Sequence, residues 1–231
     1  FLEEELKVEH FKSRILGHWG TVPGLNFIYA NLNYLVHKHK ASMMLITGPG
    51  HGAPAILANL YAEKTLDEFY KNYPLNKKGF GQIVKDFSWP YSPFPSHVTP
   101  TVPGSILEGG ELGYSLATAF GSVFDNPDLI TAVVVGDGES ETGPTATAWH
   151  SNKFLNPKTS GAVLPIVHIN GYKISNPTIY GTMSDAELTN LFKGYGYKPY
   201  IIKGPNVEEK TFKAMESAYQ EIRAIQKKAR A

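Results

Sequence analysis

The sequence contains no cysteine among its 231 residues, which excludes disulfide bonds and thiolate metal sites and fits a reducing compartment. It also lacks an apolar run long enough to span a bilayer. Charge of one sign does not dominate either, because 22 basic residues stand against 21 acidic ones. We therefore expect no general nucleic-acid or membrane surface. The composition, 42% hydrophobic and 19% charged, is that of a globular domain with a sizeable core.

Strand-like and helical segments alternate along the chain, which predicts a parallel α/β sheet with helices on both faces. The predicted strands are ASMMLIT, LITAVVVGDG, AVLPIVHIN and KPYIIKG. Helices are predicted at 3–16, in the segment before ASMMLIT, after GPGHG, and at about 111–124, 141–154, 185–195 and 207–231. Ser184 and Glu187 have the spacing of a capping box. The proline-rich segment 74–104 is predicted to be a long loop whose aromatic residues Phe87, Trp89, Tyr91 and Phe94 pack on a partner surface.

A run of valines ends in Gly136-Asp137-Gly138, and acidic residues follow at once. In open α/β sheets, ligands bind beyond the carboxyl ends of the strands, and glycines let the backbone approach them closely. The N-terminus of a following helix would offer N–H groups to a phosphate. A carboxylate there indicates a divalent cation that bridges it to a diphosphate. The alternative is a strand-end aspartate that caps the next helix.

The next predicted strand ends in Ile169-Asn170-Gly171. The amide oxygen of Asn170 is a possible second ligand for Mg²⁺, and the backbone carbonyl of Tyr172 is a possible third. The alternative is that Asn170 merely occupies a turn. Polar groups at the ends of consecutive strands favour the metal site over two unrelated turns.

Five longer stretches carry a resemblance to a known family: GHWGTVPGLNF, GPGHGAPA, PGSILEGGELGYSLATAFG, GDGESETGPTATAWHSNKFLNP and HINGYKISNPTI. Together they resemble phosphoketolase, a thiamine-diphosphate enzyme that cleaves ketose phosphates with inorganic phosphate. The resemblance runs through essentially all 231 residues but covers only the N-terminal, diphosphate-binding part of that longer family. The GDG turn with Asn170 is similar to the diphosphate–Mg²⁺ motif of such enzymes, with Ile169 replacing the motif's first asparagine.

The resemblance implies a thiamine-diphosphate-binding fold of the diphosphate-binding (PP) type over residues 1–231, within a longer multidomain chain. It implies that the diphosphate and Mg²⁺ are held by Gly136, Asp137, Gly138, Asn170 and Tyr172, with Asp137, Asn170 and the Tyr172 carbonyl as metal ligands. It further implies that the backbone of Gly110, Glu111 and Leu112 lies against the pyrimidine side of the cofactor. The carboxylate that activates the thiamine ring would come from the pyrimidine-binding domain of a partner subunit, so a homodimer or larger homo-oligomer is implied.

Histidines of the first three motif regions, His18, His51 and His97, would line the substrate channel and bind or protonate hydroxyl groups. One alternative is that each is a hydrogen-bonded structural residue in its turn. The other is a histidine zinc site, which is disfavoured because no pair has the short local spacing of such sites.

Four further side chains near these motifs have less specific interpretations. His150, on a predicted helix, and His168, in a predicted strand, are interpreted as satisfied core groups. Glu139 and Glu141 either position the GDG motif or lie in a solvated helix N-terminus.

Three functions follow from these observations. The first is a cytoplasmic phosphoketolase, an aldehyde-lyase of carbohydrate metabolism. It would convert xylulose 5-phosphate, fructose 6-phosphate or both to acetyl phosphate and an aldose phosphate. The second is a transketolase-like transferase, which WHSNKFLNP and INGYKISNPT disfavour. The third is a catalytically silent cofactor-binding module. A Rossmann dehydrogenase is disfavoured because no G-x-G-x-x-G opens a strand–helix turn. We expect the isolated 231-residue chain to be inactive, since the ring-activating domain is absent from it.

Overall fold

The computed structural model describes residues 21–174 and 176–231. The predicted helix at 3–16 and the predicted channel residue His18 lie outside the described residues. The described chain forms two compact units: residues 21–26 with Pro49–Glu111, and Phe27–Gly48 with Leu112–Ala231. Across these ranges, no helix combines the length and the apolar character needed to cross a membrane.

The described α-helices are α1 Val22–His39, α2 Ala53–Ala62, α3 Thr65–Phe69, α4 Lys77–Asp86, α5 Ser115–Ser122, α6 Asp137–Ser140, α7 Gly143–Ala148, α8 Ile179–Thr182, α9 Asp185–Gly194 and α10 Val207–Arg230. Short 3-10 helices lie at Gly50–Gly52 and Trp149–Phe154. The strands are β1 Ser42–Thr47, β2 Leu129–Gly136, β3 Ala162–His168, β4 Tyr172–Lys173 and β5 Asn176–Pro177. The first three predicted strands are therefore confirmed.

The second unit is built on a parallel sheet in the order β1-β2-β3. The central strand β2 is buried at every position from Ile130 to Val135, as expected for a strand covered on both faces. Thr47 pairs with Val134, and Gly136 pairs with His168, so the carboxyl ends of all three strands lie at the same edge. Helix α5 packs on the sheet and contacts all three strands. This edge is where the predicted diphosphate and metal residues follow the strands.

Helices α1 and α10 pack together in the second unit. The Tyr34 and Phe212 rings lie 4.8 Å apart, and His39 stacks on Tyr219 at 4.5 Å. Helix α9 begins as the capping box predicts. The Ser184 hydroxyl accepts the N–H of Glu187 at 3.3 Å, and the Glu187 carboxylate accepts the N–H of Ser184 at 2.7 Å.

The predicted loop at 74–104 is wrong in part. Helix α4 lies within it, and the Asn76 side chain caps that helix by accepting the N–H of Gly79 at 3.0 Å. Phe94 is fully buried and packs in the core of the first unit with residues of α2 and α3 such as Leu57 and Leu66. Phe87 packs against the same core, whereas Trp89 and Tyr91 are exposed, so the packing of these two on a partner stays a prediction.

The predicted fourth strand, residues 198–204, is not a strand in the structure. A strand requires a hydrogen-bonded neighbour, and Pro199 has no N–H to donate to one. The side chains of this segment turn instead to α10, where the Tyr200 hydroxyl donates to Glu221 at 2.9 Å and Lys198 forms an ion pair with the same carboxylate. The apolar pattern of the segment was therefore not sufficient to predict sheet pairing.

Candidate functional site

Asp137 is the first residue after β2, and its side chain is only 3% exposed. One carboxylate oxygen, Oδ2, accepts the N–H of Gly171 at 2.8 Å and the hydroxyl of Thr178 at 2.7 Å. The other, Oδ1, accepts the N–H of Gly138 at 3.0 Å. Three donors therefore hold a buried acceptor-only carboxylate in one orientation and join the end of β2 to the turn after β3.

The turn after β3 places Asn170 and Tyr172 beside Asp137. The side-chain oxygen of Asn170 accepts the N–H of Tyr172 at 2.9 Å, and Gly171 has a positive φ of 86° in this turn. The contact between this turn and Asp137 is made by Gly171, which lies between the other two predicted metal-ligating residues, Asn170 and Tyr172. No group of three or more His, Cys, Asp or Glu side chains within the described ranges could hold a metal. A metal at this edge would therefore depend on amide and backbone oxygens as well as on Asp137.

The segment after Tyr172 folds back as a two-stranded antiparallel hairpin, β4 with β5. Glu141 binds the hairpin and the helix that follows it, through an ion pair with Lys173 of β4 and a hydrogen bond from the N–H of Ile179, the first residue of α8. Its side chain is nearly buried, so the interpretation as a solvated helix-end charge is wrong. At the far end Thr178 is buried and caps α8 by accepting the N–H of Gly181 at 3.0 Å.

Thr178 is a site residue that the sequence analysis missed. Its hydroxyl both contacts Asp137 and caps a helix, so one side chain positions the carboxylate and the start of α8. The local signal was the Asn-Pro-Thr turn with Gly181 three residues later, which has the spacing of an N-cap. Nothing in that signal indicates the contact with Asp137, 41 residues earlier.

Glu139 is also buried, at 2% exposure, so its solvated interpretation is wrong as well. Its carboxylate accepts the hydroxyl of Ser115 and the N–H of Gly136, the latter at 3.2 Å. Burial raises the pKa of Glu139 above its ordinary value, and these hydrogen bonds partly oppose the rise.

The turn at Gly136-Asp137-Gly138 offers fewer N–H groups to a phosphate than expected. The N–H of Gly136 binds Glu139, and that of Gly138 binds Asp137. The helix that follows, α6, has only one turn, whereas the sequence indicated a helix from 141 to 154. Beyond it that segment is divided between α7 and the 3-10 helix at Trp149–Phe154.

The first unit brings two of the predicted histidines onto neighbouring loops. The carbonyl of Gly50 accepts the N–H of Val98 at 2.9 Å, and the carbonyl of Val98 accepts the N–H of Gly109 at 2.7 Å. These bonds join the loops of His51 and His97 to Gly109, which directly precedes the predicted pyrimidine-contacting residue Gly110. A Cβ on Gly50 would lie 1.9 Å from the carbonyl oxygen of Gly109, so only glycine fits there.

Each of these histidines has a hydroxyl partner. The Nε2 atom of His51 lies 3.1 Å from the Thr21 hydroxyl, and the Nδ1 atom of His97 lies 2.9 Å from the Ser96 hydroxyl. Both imidazoles are half-buried. They are therefore oriented by their loops but not enclosed in the core.

The predicted pyrimidine-contacting residues are all exposed: Gly110, Glu111 and Leu112. Gly110 and Glu111 belong to the first unit, and Leu112 belongs to the second. Leu112 lies three residues before Ser115, whose hydroxyl donates to Glu139.

The two histidines that were interpreted as core groups, His150 and His168, have different environments. His150 is exposed, with its ring 5.0 Å from that of Tyr195, so its interpretation as a core residue is wrong. His168, the last residue of β3, is partly buried, and burial lowers its pKa while the charge of Asp137 opposes the fall.

The parallel sheet with polar turns at its strand ends defines a class of α/β protein that includes transketolases. The chain is similar to the solved structure of transketolase from Leishmania mexicana, with a TM-score of 0.54 and 18% identity over 89% of this chain and 28% of that chain. Transketolase from Campylobacter jejuni gives a TM-score of 0.54 and 20% identity over 76% of this chain and 27% of that chain. This likeness confirms the predicted fold class.

The family is more specific than the fold. A family model described as the XFP N-terminal domain matches residues 1–231, and the chain belongs to that family. It is 55% identical to a probable phosphoketolase of Gloeobacter violaceus, over 99% of this chain and 29% of that protein. A probable phosphoketolase of Rhodopseudomonas palustris is also 55% identical, over 99% of this chain and 30% of that protein. The predicted resemblance to phosphoketolase is confirmed, and the chain spans less than a third of these relatives.

Proposed function

We propose that the chain is the N-terminal, cofactor-binding part of a phosphoketolase that uses thiamine diphosphate and Mg²⁺. The whole enzyme cleaves xylulose 5-phosphate, fructose 6-phosphate or both with inorganic phosphate, and yields acetyl phosphate, an aldose phosphate and water. Family membership supports the reaction class. The observation that carries the cofactor assignment is the buried carboxylate of Asp137, held beside the turn of Asn170 and Tyr172 at the strand ends.

The residues at this edge fit a magnesium diphosphate. Mg²⁺ prefers oxygen ligands and keeps one or two protein carboxylates together with substrate phosphates and water. Asp137 Oδ1 accepts only the N–H of its neighbour Gly138 among the bonds of the described chain, so it retains a lone pair for a cation. Asn170 and the Tyr172 carbonyl would complete the protein ligands, while Gly171 and Thr178 fix the carboxylate.

The protein contributes positioning and proton transfer. When bound, thiamine diphosphate supplies the electron sink for carbon–carbon cleavage. We assign to His51 and His97 the binding and protonation of substrate hydroxyl groups, because an imidazole changes charge near neutral pH. The Thr21 and Ser96 hydroxyls would set which ring nitrogen carries the proton. His18 is assigned the same channel on the resemblance, as Gly110, Glu111 and Leu112 are assigned the pyrimidine side.

The ring-activating carboxylate would belong to the pyrimidine-binding domain of a partner subunit. With this assignment the enzyme is a homo-oligomer, at least a dimer. We further propose that it acts on sugar phosphates of the pentose phosphate route in the cytoplasm. The same assignment makes the isolated chain a catalytically silent module. A transketolase-like transferase is the second candidate, because the similar solved structures are transketolases.

One assay on the full-length parent enzyme separates these functions. Purified enzyme is incubated with thiamine diphosphate, Mg²⁺ and xylulose 5-phosphate, with and without inorganic phosphate, and acetyl phosphate is measured. A phosphoketolase forms acetyl phosphate only when phosphate is present. If the enzyme instead transfers a two-carbon unit to ribose 5-phosphate and forms no acetyl phosphate, the transferase is correct and our proposal is wrong.

A further inference from the structure

We propose that Glu139 is a positioning residue that fixes the turn at Leu112–Ser115 against the end of β2. This inference rests on the proposed function, in which Leu112 contacts the pyrimidine side of the cofactor and Gly136–Gly138 hold its diphosphate. The Glu139 carboxylate would set the spacing between these two contacts. No substrate contact is assigned to it.

The first argument is the number and origin of its donors. The carboxylate accepts the hydroxyl of Ser115, the first residue of α5. It also accepts the N–H of Gly136 at the end of β2, at 3.2 Å. One side chain therefore joins the start of α5 to the end of the central strand.

The second argument is the close packing around the same carboxylate. A Cβ on Gly48, which directly follows β1, would lie 2.1 Å from Glu139 Oε2 and 2.7 Å from Ser115 Oγ. Gly48 also donates its N–H to the carbonyl of Val134 at 2.8 Å. The ends of β1 and β2 and the start of α5 thus surround the carboxylate with no room for a larger residue at Gly48. A group that only stabilised α6 would not need contacts from three other segments.

The experiment uses the full-length enzyme and compares Glu139→Gln with Ser115→Ala and with Thr131→Val. Glutamine keeps the shape but turns an amide NH₂ toward a donor, and alanine removes only the Ser115 hydroxyl. Thr131 is buried on β2, and its hydroxyl forms a hydrogen bond of 2.8 Å with Ser122 Oγ. Thr131→Val is therefore a control for lost stability alone. Calorimetry measures the Kd for thiamine diphosphate and for inorganic pyrophosphate, each with saturating Mg²⁺.

We expect Glu139→Gln to weaken thiamine diphosphate binding about tenfold or more, the scale of outer-shell substitutions, and pyrophosphate binding less. Ser115→Ala should also weaken thiamine diphosphate binding more than pyrophosphate binding. Thr131→Val should leave the ratio of the two affinities unchanged. An equal loss for both ligands in Glu139→Gln, or the same ratio change in Thr131→Val, would overturn the positioning role.

A second measurement does not depend on the cofactor. In Glu139→Gln, hydrogen exchange of the cofactor-free enzyme should be faster at the Gly136 amide, which donates to Glu139, and in the turn at Leu112–Ser115. It should be unchanged at these amides in Thr131→Val. Unchanged exchange in Glu139→Gln would also overturn the inference. If the wild-type enzyme binds no thiamine diphosphate at all, the proposed function fails, and hydrogen exchange still decides whether Glu139 holds this turn.

Discussion

Replacing Thr178 by valine tests the site through a residue that would touch neither metal nor substrate. Thr178 is fully buried, so valine fits with little change in volume but has no hydroxyl. The substitution removes a bond of 2.7 Å to the Asp137 carboxylate and a bond of 3.0 Å from the Gly181 N–H. After the first loss, the Gly171 N–H is the one remaining donor to Oδ2 within the described chain, so the carboxylate is held less firmly. The second loss leaves the start of α8 without its cap.

The expected magnitude follows from these two bonds. A hydrogen bond to a charged group contributes roughly 1.5–3 kcal/mol, and loss of a helix N-cap costs about 1 kcal/mol. We therefore expect the free energy of unfolding to fall by about 2.5–4 kcal/mol. Substitutions of outer-shell partners typically weaken metal binding about 10–100-fold. The Mg²⁺ concentration for half-maximal activity of the full-length enzyme should rise by that factor.

The matched control is Thr178→Ser, which keeps the hydroxyl and loses only a methyl group. Serine should retain near-normal Mg²⁺ dependence with a small loss of stability. Urea denaturation gives the stability of each variant, and activity titrated with Mg²⁺ at saturating thiamine diphosphate gives the metal dependence. If Thr178→Val is as unstable as expected yet needs no more Mg²⁺ than wild type, the carboxylate of Asp137 is not the metal ligand that we propose.

Four further predictions address the metal site, the histidines, the core and the isolated chain. Asp137→Ala should lower turnover of the full-length enzyme by orders of magnitude. It should also lower the melting temperature, because the three donors to this carboxylate lose their acceptor. Normal turnover at ordinary Mg²⁺ would contradict the assignment. His97→Ala should reduce kcat roughly 10²–10⁴-fold with little change in melting temperature. A large melting-temperature loss without a kcat effect would indicate a structural histidine. Phe94→Ala should cost about 3–5 kcal/mol of unfolding free energy, measured with denaturant, and a cost near zero would mean that the core of the first unit does not depend on it. The purified 231-residue chain should form no acetyl phosphate with thiamine diphosphate, Mg²⁺, phosphate and xylulose 5-phosphate. Turnover near that of the full enzyme would show that it contains a complete site.

Local patterns were sufficient to predict the elements whose burial is continuous. Strands β1, β2 and β3 formed where the apolar runs are, and the capping box placed the start of α9 correctly. The juxtaposition of Asp137 with the Asn170 turn also followed from sequence, because parallel strands in one sheet end at the same edge. The roles of these residues in binding stay predictions.

The failures concern features that depend on residues far away in the sequence. Whether 198–204 forms a strand depends on a neighbouring strand, which its own pattern cannot supply. Phe94 was expected on a partner surface because prolines surround it, but the aromatic rings of Tyr70 and Tyr73 cover it, at centroid distances of 5.6 and 4.9 Å.

The burial of Glu139 shows the same dependence most clearly. An acidic residue in the first turn of a helix is usually solvated, and that interpretation was equally compatible with the sequence. What buries it is its packing against Gly48 and Ser115, and the Ser115 hydroxyl that donates to it lies more than twenty residues earlier in the chain. Neither the composition nor the spacing of the acidic residues after the GDG turn distinguishes the two outcomes.

The two carboxylates of the single-turn helix α6 face different neighbours of the central strand. Asp137 binds Gly171 and Thr178, which follow β3, whereas Glu139 binds Ser115 and lies against Gly48, which follows β1. The end of β2 is therefore held on both sides within three residues of one turn. A single buried carboxylate would be explained by capping alone. Two that bind opposite neighbours are better explained by a need to fix the strand ends against one another, as a ligand that contacts several of them would require.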